Sequence, residues 1–234
     1  MYRYGVYVAA ALASLLATGS SQAIQKVAPR LEFIDFGGGW TLPTGEYDGT
    51  VIGDFTLDGY RYDVDADKVY DEGFHFKFGV GRVQRGHLQT AIGFAYTRHD
   101  IRNPIVVRRG DEVVTFSWTY GGTTLVRDLA HNQYDLVLNV NWLINDMQYQ
   151  TWSPFVGLGF QAGLSGVSGE DVETEWDGNV ALSLNFGVEI GLWAQRGGET
   201  FVSLVSDNSW NFVSSSDRPR YLQLGGLLRY YFKS

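Results

Sequence analysis

Asn179-Val-Ala-Leu-Ser-Leu-Asn-Phe-Gly-Val-Glu-Ile-Gly-Leu-Trp193 is the stretch on which the fold turns. Val180, Leu182, Leu184, Phe186, Val188, Ile190 and Leu192 share one parity. Ala181, Ser183, Asn185, Gly187, Glu189 and Gly191 share the other. A period of two sends successive side chains to opposite faces of a strand. Here it runs unbroken for thirteen residues, beyond the roughly 4–8 of a half-buried soluble strand. One face is bulky and apolar; the other is small or polar.

The same split recurs at about 32–42, 73–83, 88–97, 134–142, 154–164 and 222–232, and more weakly at 200–211. In the weak segment Val202 and Leu204 face one way, and Phe201, Ser203 and Val205 the other. These segments make eight strands. Long connections at about 43–72, 99–131 and 167–178, with a shorter one near 214–219, alternate with tight ones at Gln84–Gly86, Asn145–Thr151 and Ala194–Gly198. Long loops at one end and short turns at the other are the plan of a membrane barrel. The expectation is an all-β fold, an eight-stranded antiparallel up-and-down transmembrane β-barrel.

A soluble eight-stranded barrel alternates too, with its apolar face inward. Two features place the apolar face outside. The opposite face is rich in Gly, Ala and Ser, as a narrow interior requires. It also carries isolated charges of both signs (Asp35, His75, Lys77, Asp135, Glu189 and Arg229) where a solvated face would carry many Lys, Glu and Thr. Aromatic residues gather near strand ends: Trp40, Trp142, Tyr149, Trp152, Trp193, Tyr230, Tyr231 and Phe232. Rings with an apolar body and a polar tip suit the two membrane interfaces.

Composition narrows the classes. Of 234 residues, 29 are glycine and none is cysteine, so a disulfide framework, a zinc–thiolate site and a thiol nucleophile are all excluded. A net charge of −8 argues against nucleic acid as a partner. Residues 1–23 read as a signal peptide: Arg3, then an apolar run from Gly5 to Ala17, then a small-x-small ending at Ser21 and Ala23. That run is shorter than the ~20 residues of a spanning helix. The barrel domain is expected over 24–234.

The C-terminal segment Tyr221-Leu-Gln-Leu-Gly-Gly-Leu-Leu-Arg-Tyr-Tyr-Phe232 resembles the terminal strand that outer-membrane barrels present to their assembly machinery, with Gly226, Leu228, Tyr230 and Phe232 at the matching positions. Lys233-Ser234 follow the final aromatic, a departure from that pattern. Phe36-Gly-Gly-Gly-Trp-Thr-Leu-Pro-Thr-Gly45 is similar to the opening of small barrels of the OmpA-transmembrane, OmpX and OmpW type. The resemblance implies a Gram-negative-type outer membrane, periplasmic termini, and contact with outer-membrane lipid, lipopolysaccharide and the barrel assembly machinery. It implies no activity, because one fold hosts many functions.

Four groups of residues are candidates for chemistry. The lumenal charges could form an ion-pair gate or a static network; Asp35 and Lys77 are expected near mid-height on adjacent strands, and Glu189 and Arg229 nearer the periplasmic end. Asp63-Val-Asp-Ala-Asp67 with Asp71-Glu72 fails the EF-hand pattern, since Lys68 and Phe74 stand where its Gly and terminal Glu belong. Together with Asp54, Asp58, Glu170, Asp171, Glu173, Glu175 and Asp177 it makes the outer loops acidic. Arg109-Gly110-Asp111 sits at the expected tip of a β-hairpin in the second loop. His99, His131, Ser206 and Ser209 fall near the outer rim, where a barrel-borne hydrolase would need nucleophile and base in mutual reach.

The reading is a non-enzymatic, monomeric outer-membrane barrel with a structural or surface-interaction role, acidic loops and a side-chain-filled lumen. No cofactor and no metal site is expected. A lipid-modifying hydrolase or acyltransferase, and a narrow conduit for small hydrophobic solutes, remain the alternatives.

Overall fold

A computed structural model describes residues 30–44, 46–47, 64–65, 69–109, 112–117, 119–120, 124–125, 128–146, 151–169, 174, 176–195, 198–213 and 220–233. The segment 1–23 read as a signal peptide lies outside the described residues.

Eight long strands close into one antiparallel barrel. They are β1 (Arg30–Thr44), β2 (Gly73–Gln84), β3 (Leu88–Asp100), β4 (Ala130–Leu143), β5 (Trp152–Ser168), β6 (Trp176–Gln195), β7 (Gly198–Val213) and β8 (Arg220–Lys233). Each pairs with its sequence neighbours, and β8 returns to β1 with Asp35 opposite Arg229. Followed sideways through the pairings, Phe33 leads by way of Gly81, Ala91, Asn139, Gly159, Ser183, Ser209 and Tyr221 to Pro43, ten residues further along β1. That stagger belongs to strands tilted by roughly 35–45° to the barrel axis.

Face assignment follows parity up to the irregularity between Gly191 and Trp193 of β6, beyond which Trp193 is exposed beside Leu192. Leu182, Leu184 and Phe186 are exposed on the outside, while Ala181, Ser183 and Asn185 are buried inside. Phe36, Phe76, Phe78, Phe94, Leu138 and Leu158 continue the same apolar outer surface around the barrel. The apolar run on β6 from Val180 to Leu192 is about 40 Å long at ~3.4 Å per residue. Tilted as above, it spans about 30 Å, the thickness of a bilayer's hydrocarbon core.

Aromatic rings bound this surface at both ends. Toward the long loops, Phe74 meets Tyr96 at 5.8 Å, Tyr96 meets Tyr134 at 4.9 Å, and Tyr134 meets Trp176 at 5.6 Å between centroids. Trp40, opposite Phe74, extends the row. Toward the short turns, Trp142 stacks on His87, and Tyr230 packs on Phe232. Tyr231, grouped by sequence with these interfacial rings, instead points inward and is only 1% exposed. Its parity is that of Arg229, so it belongs to the lumen. Tyr149 lies outside the described residues.

The β2–β3 turn shows why the short end is tight. Arg85 (φ 52°) and Gly86 (φ 73°) both adopt left-handed backbone, and His87 N–H donates to the Gln84 carbonyl. This is the primed turn whose twist matches that of the flanking strands. At the opposite end β5, β6 and β7 run to 17, 20 and 16 residues, against the ~9–11 needed to span a membrane. β5 and β6 shorten the loop expected at 167–178, since β5 ends at Ser168 and β6 begins at Trp176, while the connection from Val213 to Arg220 keeps the expected 214–219. The second long loop carries the expected hairpin, Ile105–Arg109 against Glu112–Phe116, and a small pair, Thr119–Tyr120 against Thr124–Leu125. The Gly110-Asp111 tip lies outside the described residues.

The barrel's core is an apolar plug at the short-turn end, built from Phe33, Val83, Leu143, Phe155, Phe201 and Tyr231. Three of its rings lie over glycines directly opposite them on a neighbouring strand: Phe33 over Gly81, Phe155 over Gly187, and Phe201 over Gly191. A Cβ at Gly187 would stand 2.7 Å from Phe155 Cζ. Gly187→Val is therefore expected to displace that ring and destabilise the barrel by about 1–3 kcal/mol, the usual cost of overpacking. Urea unfolding in micelles measures it, with Gly226→Ala, which meets nothing closer than 3.8 Å, as the mild control.

Candidate functional site

All six charged or titratable residues singled out on the inward parity point into the lumen, at three heights. Just above the plug, Arg229 on β8 lies 4.2 Å over the Phe33 ring. Its Nε donates to Asp35 Oδ2 at 3.1 Å, and its Nη1 pairs with Glu189 Oε1. Glu189, wholly buried, also accepts from the Tyr231 hydroxyl at 2.8 Å and from Gln89 Nε2 at 2.7 Å. Asn141 Nδ2 holds the Gln89 carbonyl oxygen at 2.9 Å. A charge in so dry a place is tolerable only when paired and hydrogen-bonded, and both conditions hold here.

At mid-height Lys77 Nζ reaches across the barrel to Asp207 Oδ2 at 2.8 Å. Lys77 and Asp35 sit on adjacent strands as expected, but each carboxylate and each base is claimed from elsewhere: Asp35 by Arg229, Lys77 by Asp207. Sequence reasoning passed over Asp207 because the alternation of β7 is weak. The signal was still there, since Phe201, Ser203 and Val205 carry its parity.

Higher up, Asp135 accepts from Gln133 Nε2 at 2.7 Å, and Gln223 Nε2 donates to Thr97 Oγ1 at 3.3 Å. His75 is buried near the Lys77 layer, beside Gly225, where an added Cβ would stand 2.8 Å from its Nε2. At the long-loop mouth His99 Nδ1 donates to the Asp71 carbonyl at 3.1 Å, which leaves Nε2 to accept from the Thr41 hydroxyl at 2.7 Å. Tyr70 packs edge-on against both His99 and His131 and is 4% exposed. Backbone bonds from Asp71 N–H to the Asp100 carbonyl and from Arg102 N–H to the Val69 carbonyl hold this segment in the mouth. Val69 and Tyr70 stand in what reads as an irregular loop, and no local pattern marks them.

The hydrolase alternative meets a parity problem. His99 and His131 face inward, whereas Ser206 lies opposite Leu224 and Phe186 on the outward register. The side chain of Ser209 lies outside the described ones. Among the described residues no group of three or more His, Asp or Glu is placed to hold a metal ion. Of the acidic loop residues, Asp71 pairs with Arg102 at 2.7 Å on the exposed rim, near Arg98 paired with Asp100 at 3.2 Å; Asp54, Asp58, Asp63, Asp67, Glu170, Asp171, Glu173 and Glu175 lie outside the described residues. Gly226, Leu228, Tyr230 and Phe232 occupy the outward face of β8, which closes on β1.

A closed eight-stranded antiparallel barrel with an apolar belt outside, aromatic rings at both rims and a filled polar lumen defines the class: a small transmembrane β-barrel of the outer-membrane type. Similar solved structures include neisserial surface protein A, NspA (11% identity over 86% of this chain and 97% of that one, TM-score 0.49). The attachment invasion locus protein Ail of Yersinia pestis (16%, 87% and 99%, TM-score 0.43) and the outer membrane protein OprG of Pseudomonas aeruginosa (10%, 88% and 99%, TM-score 0.45) are similar in the same way. The likeness is one of architecture alone. No family model matches the chain, and no curated protein matches it.

Proposed function

We propose that this protein is a non-enzymatic outer-membrane barrel whose work is done by its loops and outer surface, as a structural or surface-interaction protein. The observation that carries the reading is the filled lumen. An apolar plug at one end, the Arg229 and Lys77 layers above it, and Tyr70 in the mouth occupy the interior at successive heights among the described residues. A conduit for hydrophobic solutes would need an apolar passage, and this interior is polar.

Arg30 and Lys233 pair at the short-turn end, so both termini of the barrel emerge together; we place that end in the periplasm. The long-loop rim, with exposed Arg98 and Arg102 just above the Phe74–Tyr96–Tyr134 row, suits the phosphates of lipopolysaccharide, and the acidic loops suit its bridging divalent ions. The outward face of β8 is the surface offered to the assembly machinery.

Two measurements test this. Cell fractionation with heat-modifiability on a gel should return a membrane-embedded barrel; a soluble product overturns the placement. Reconstituted into planar bilayers, the protein should show no regular conductance steps. Reproducible steps, or retention of a hydrophobic solute in proteoliposome transport, would transfer the function from the loops to the lumen.

A further inference from the structure

Between the Arg229 layer and the mouth the barrel holds a cavity of about 50 Å³. On the measure by which one water needs about 10–15 Å³, this is room for an ion and its remaining waters. Gly79, Gly93 and Gly225 form part of the wall and leave that room open. Three polar atoms on the wall have no partner among the described residues: His75 Nδ1, Asp207 Oδ1 and Gln223 Oε1. Their residues are only 5%, 2% and 5% exposed. Buried polar atoms without partners are rare, and each calls for an explanation.

The pairings bring these three side chains together. His75 lies directly opposite Thr97 of β3, and Gln223 reaches across from β8 to donate its Nε2 to that same Thr97 at 3.3 Å. The His75 ring crosses the other way. Its Nε2 would stand 2.8 Å from a Cβ on Gly225, two residues from Gln223 on the same face of β8. Asp207 is directly opposite Gln223, and its Oδ2 meets Lys77 Nζ at 2.8 Å. Lys77 is in turn two residues from His75 on the same face of β2. Lys77 and Thr97 thus each hold one polar atom of a side chain and leave the other, an oxygen, to the cavity. Ligating side chains at metal sites are held from behind in this way.

Charge points to a cation. Between the plug and the mouth, four carboxylates (Asp35, Asp135, Glu189 and Asp207) share the lumen with two bases, Lys77 and Arg229, among the described residues. The surplus is two negative charges. Water would satisfy the three atoms but leave that surplus in a low-dielectric interior, where it is costly.

We infer that the lumenal cavity binds one divalent transition-metal ion of the zinc type, ligated by His75 Nδ1, Asp207 Oδ1 and Gln223 Oε1, with water completing the shell. Imidazole suits zinc, copper, iron and nickel, whereas calcium and magnesium take oxygen ligands. Three protein ligands and a water make a common four-coordinate zinc shell. The third donor here is an amide, so the set is not one of three His, Asp or Glu side chains. The site goes beyond the role of the loops and does not depend on it.

The test is equilibrium unfolding of the protein in detergent micelles, at one pH and ionic strength, after refolding with zinc chloride or with EDTA. At free zinc ten times the dissociation constant, the folding equilibrium should shift about tenfold over EDTA. Gln223→Leu, which removes one ligand and no charge, should shrink that shift. His87→Ala, which removes a histidine at the short-turn rim beside Trp142, should keep it. Equal stability with zinc and with EDTA overturns the inference in favour of water alone, and a shift untouched by Gln223→Leu overturns it in favour of a site elsewhere. Should Gln223→Leu fail to fold, crystals of the parent grown with zinc decide: an anomalous peak beside Asp207 supports the site, and a lumen without one overturns it.

Discussion

Arg229→Met is expected to destabilise the barrel by about 3–5 kcal/mol, the cost of breaking a buried pair by removing one partner. The substitution keeps an unbranched apolar stem but removes the guanidinium that lies over the Phe33 ring, and it strands two carboxylates, Asp35 and Glu189, in one dry layer. Glu189→Gln should cost less. Arg229 then keeps its bonds to Asp35 Oδ2, and an amide oxygen in the place of Oε1 still accepts from Gln89 Nε2 and Arg229 Nη1. The new NH2 faces the Tyr231 hydroxyl, which can turn to accept. Combining Arg229→Met with Glu189→Gln should recover part of the loss, because one of the two stranded charges is gone. Urea unfolding of the two single variants and the double variant in micelles reads the coupling. Additive effects would mean that Arg229 and Glu189 are not partners.

Leu184→Arg is expected to cost about 2–4 kcal/mol, as arginine does on a barrel's lipid face near the bilayer midplane. Leu184 lies outward in the middle of β6, opposite Leu158 of β5, with apolar neighbours Leu182 and Phe186 on its own face. The penalty should show in lipid vesicles as slower insertion and a lower unfolding midpoint. It should fade for an arginine placed near either aromatic rim, where Arg82 and Arg98 already stand outward. Insertion of Leu184→Arg as readily as the parent would mean that this face does not meet lipid.

Most of the barrel was legible because its interior and exterior are sorted at a period of two. The seven strong segments needed only parity: a bulky apolar residue outward at every second position and a small or polar one between. Boundaries were less legible at the long-loop end. Above the membrane neither face must be apolar, so the extensions of β5, β6 and β7 carry no alternation to read. Tyr231 shows a different limit. Its ring chemistry suits an interface, and only its parity with Arg229 says that it turns inward.

On the strongly alternating strands the residues that enter the lumen were therefore settled by sequence alone, because parity assigns a face without reference to anything distant; Asp207 on weakly alternating β7 and Tyr70 in the mouth were not. Which of them meet was decided by closure and stagger. A lysine on β2 finds Asp207 on β7, at a separation of 130 residues, because a barrel this narrow brings opposite walls within the reach of one side chain. Arg229 is shared between Asp35 and Glu189 because β8 closes on β1 while the lumen lets it reach β6. Tyr70 caps the mouth for the same kind of reason: a segment with no period of its own is held there by backbone bonds to Asp100 and Arg102. Period two is a local property of the chain; the pairing of buried charges is a property of the closed cylinder, and it exists only once the last strand has met the first.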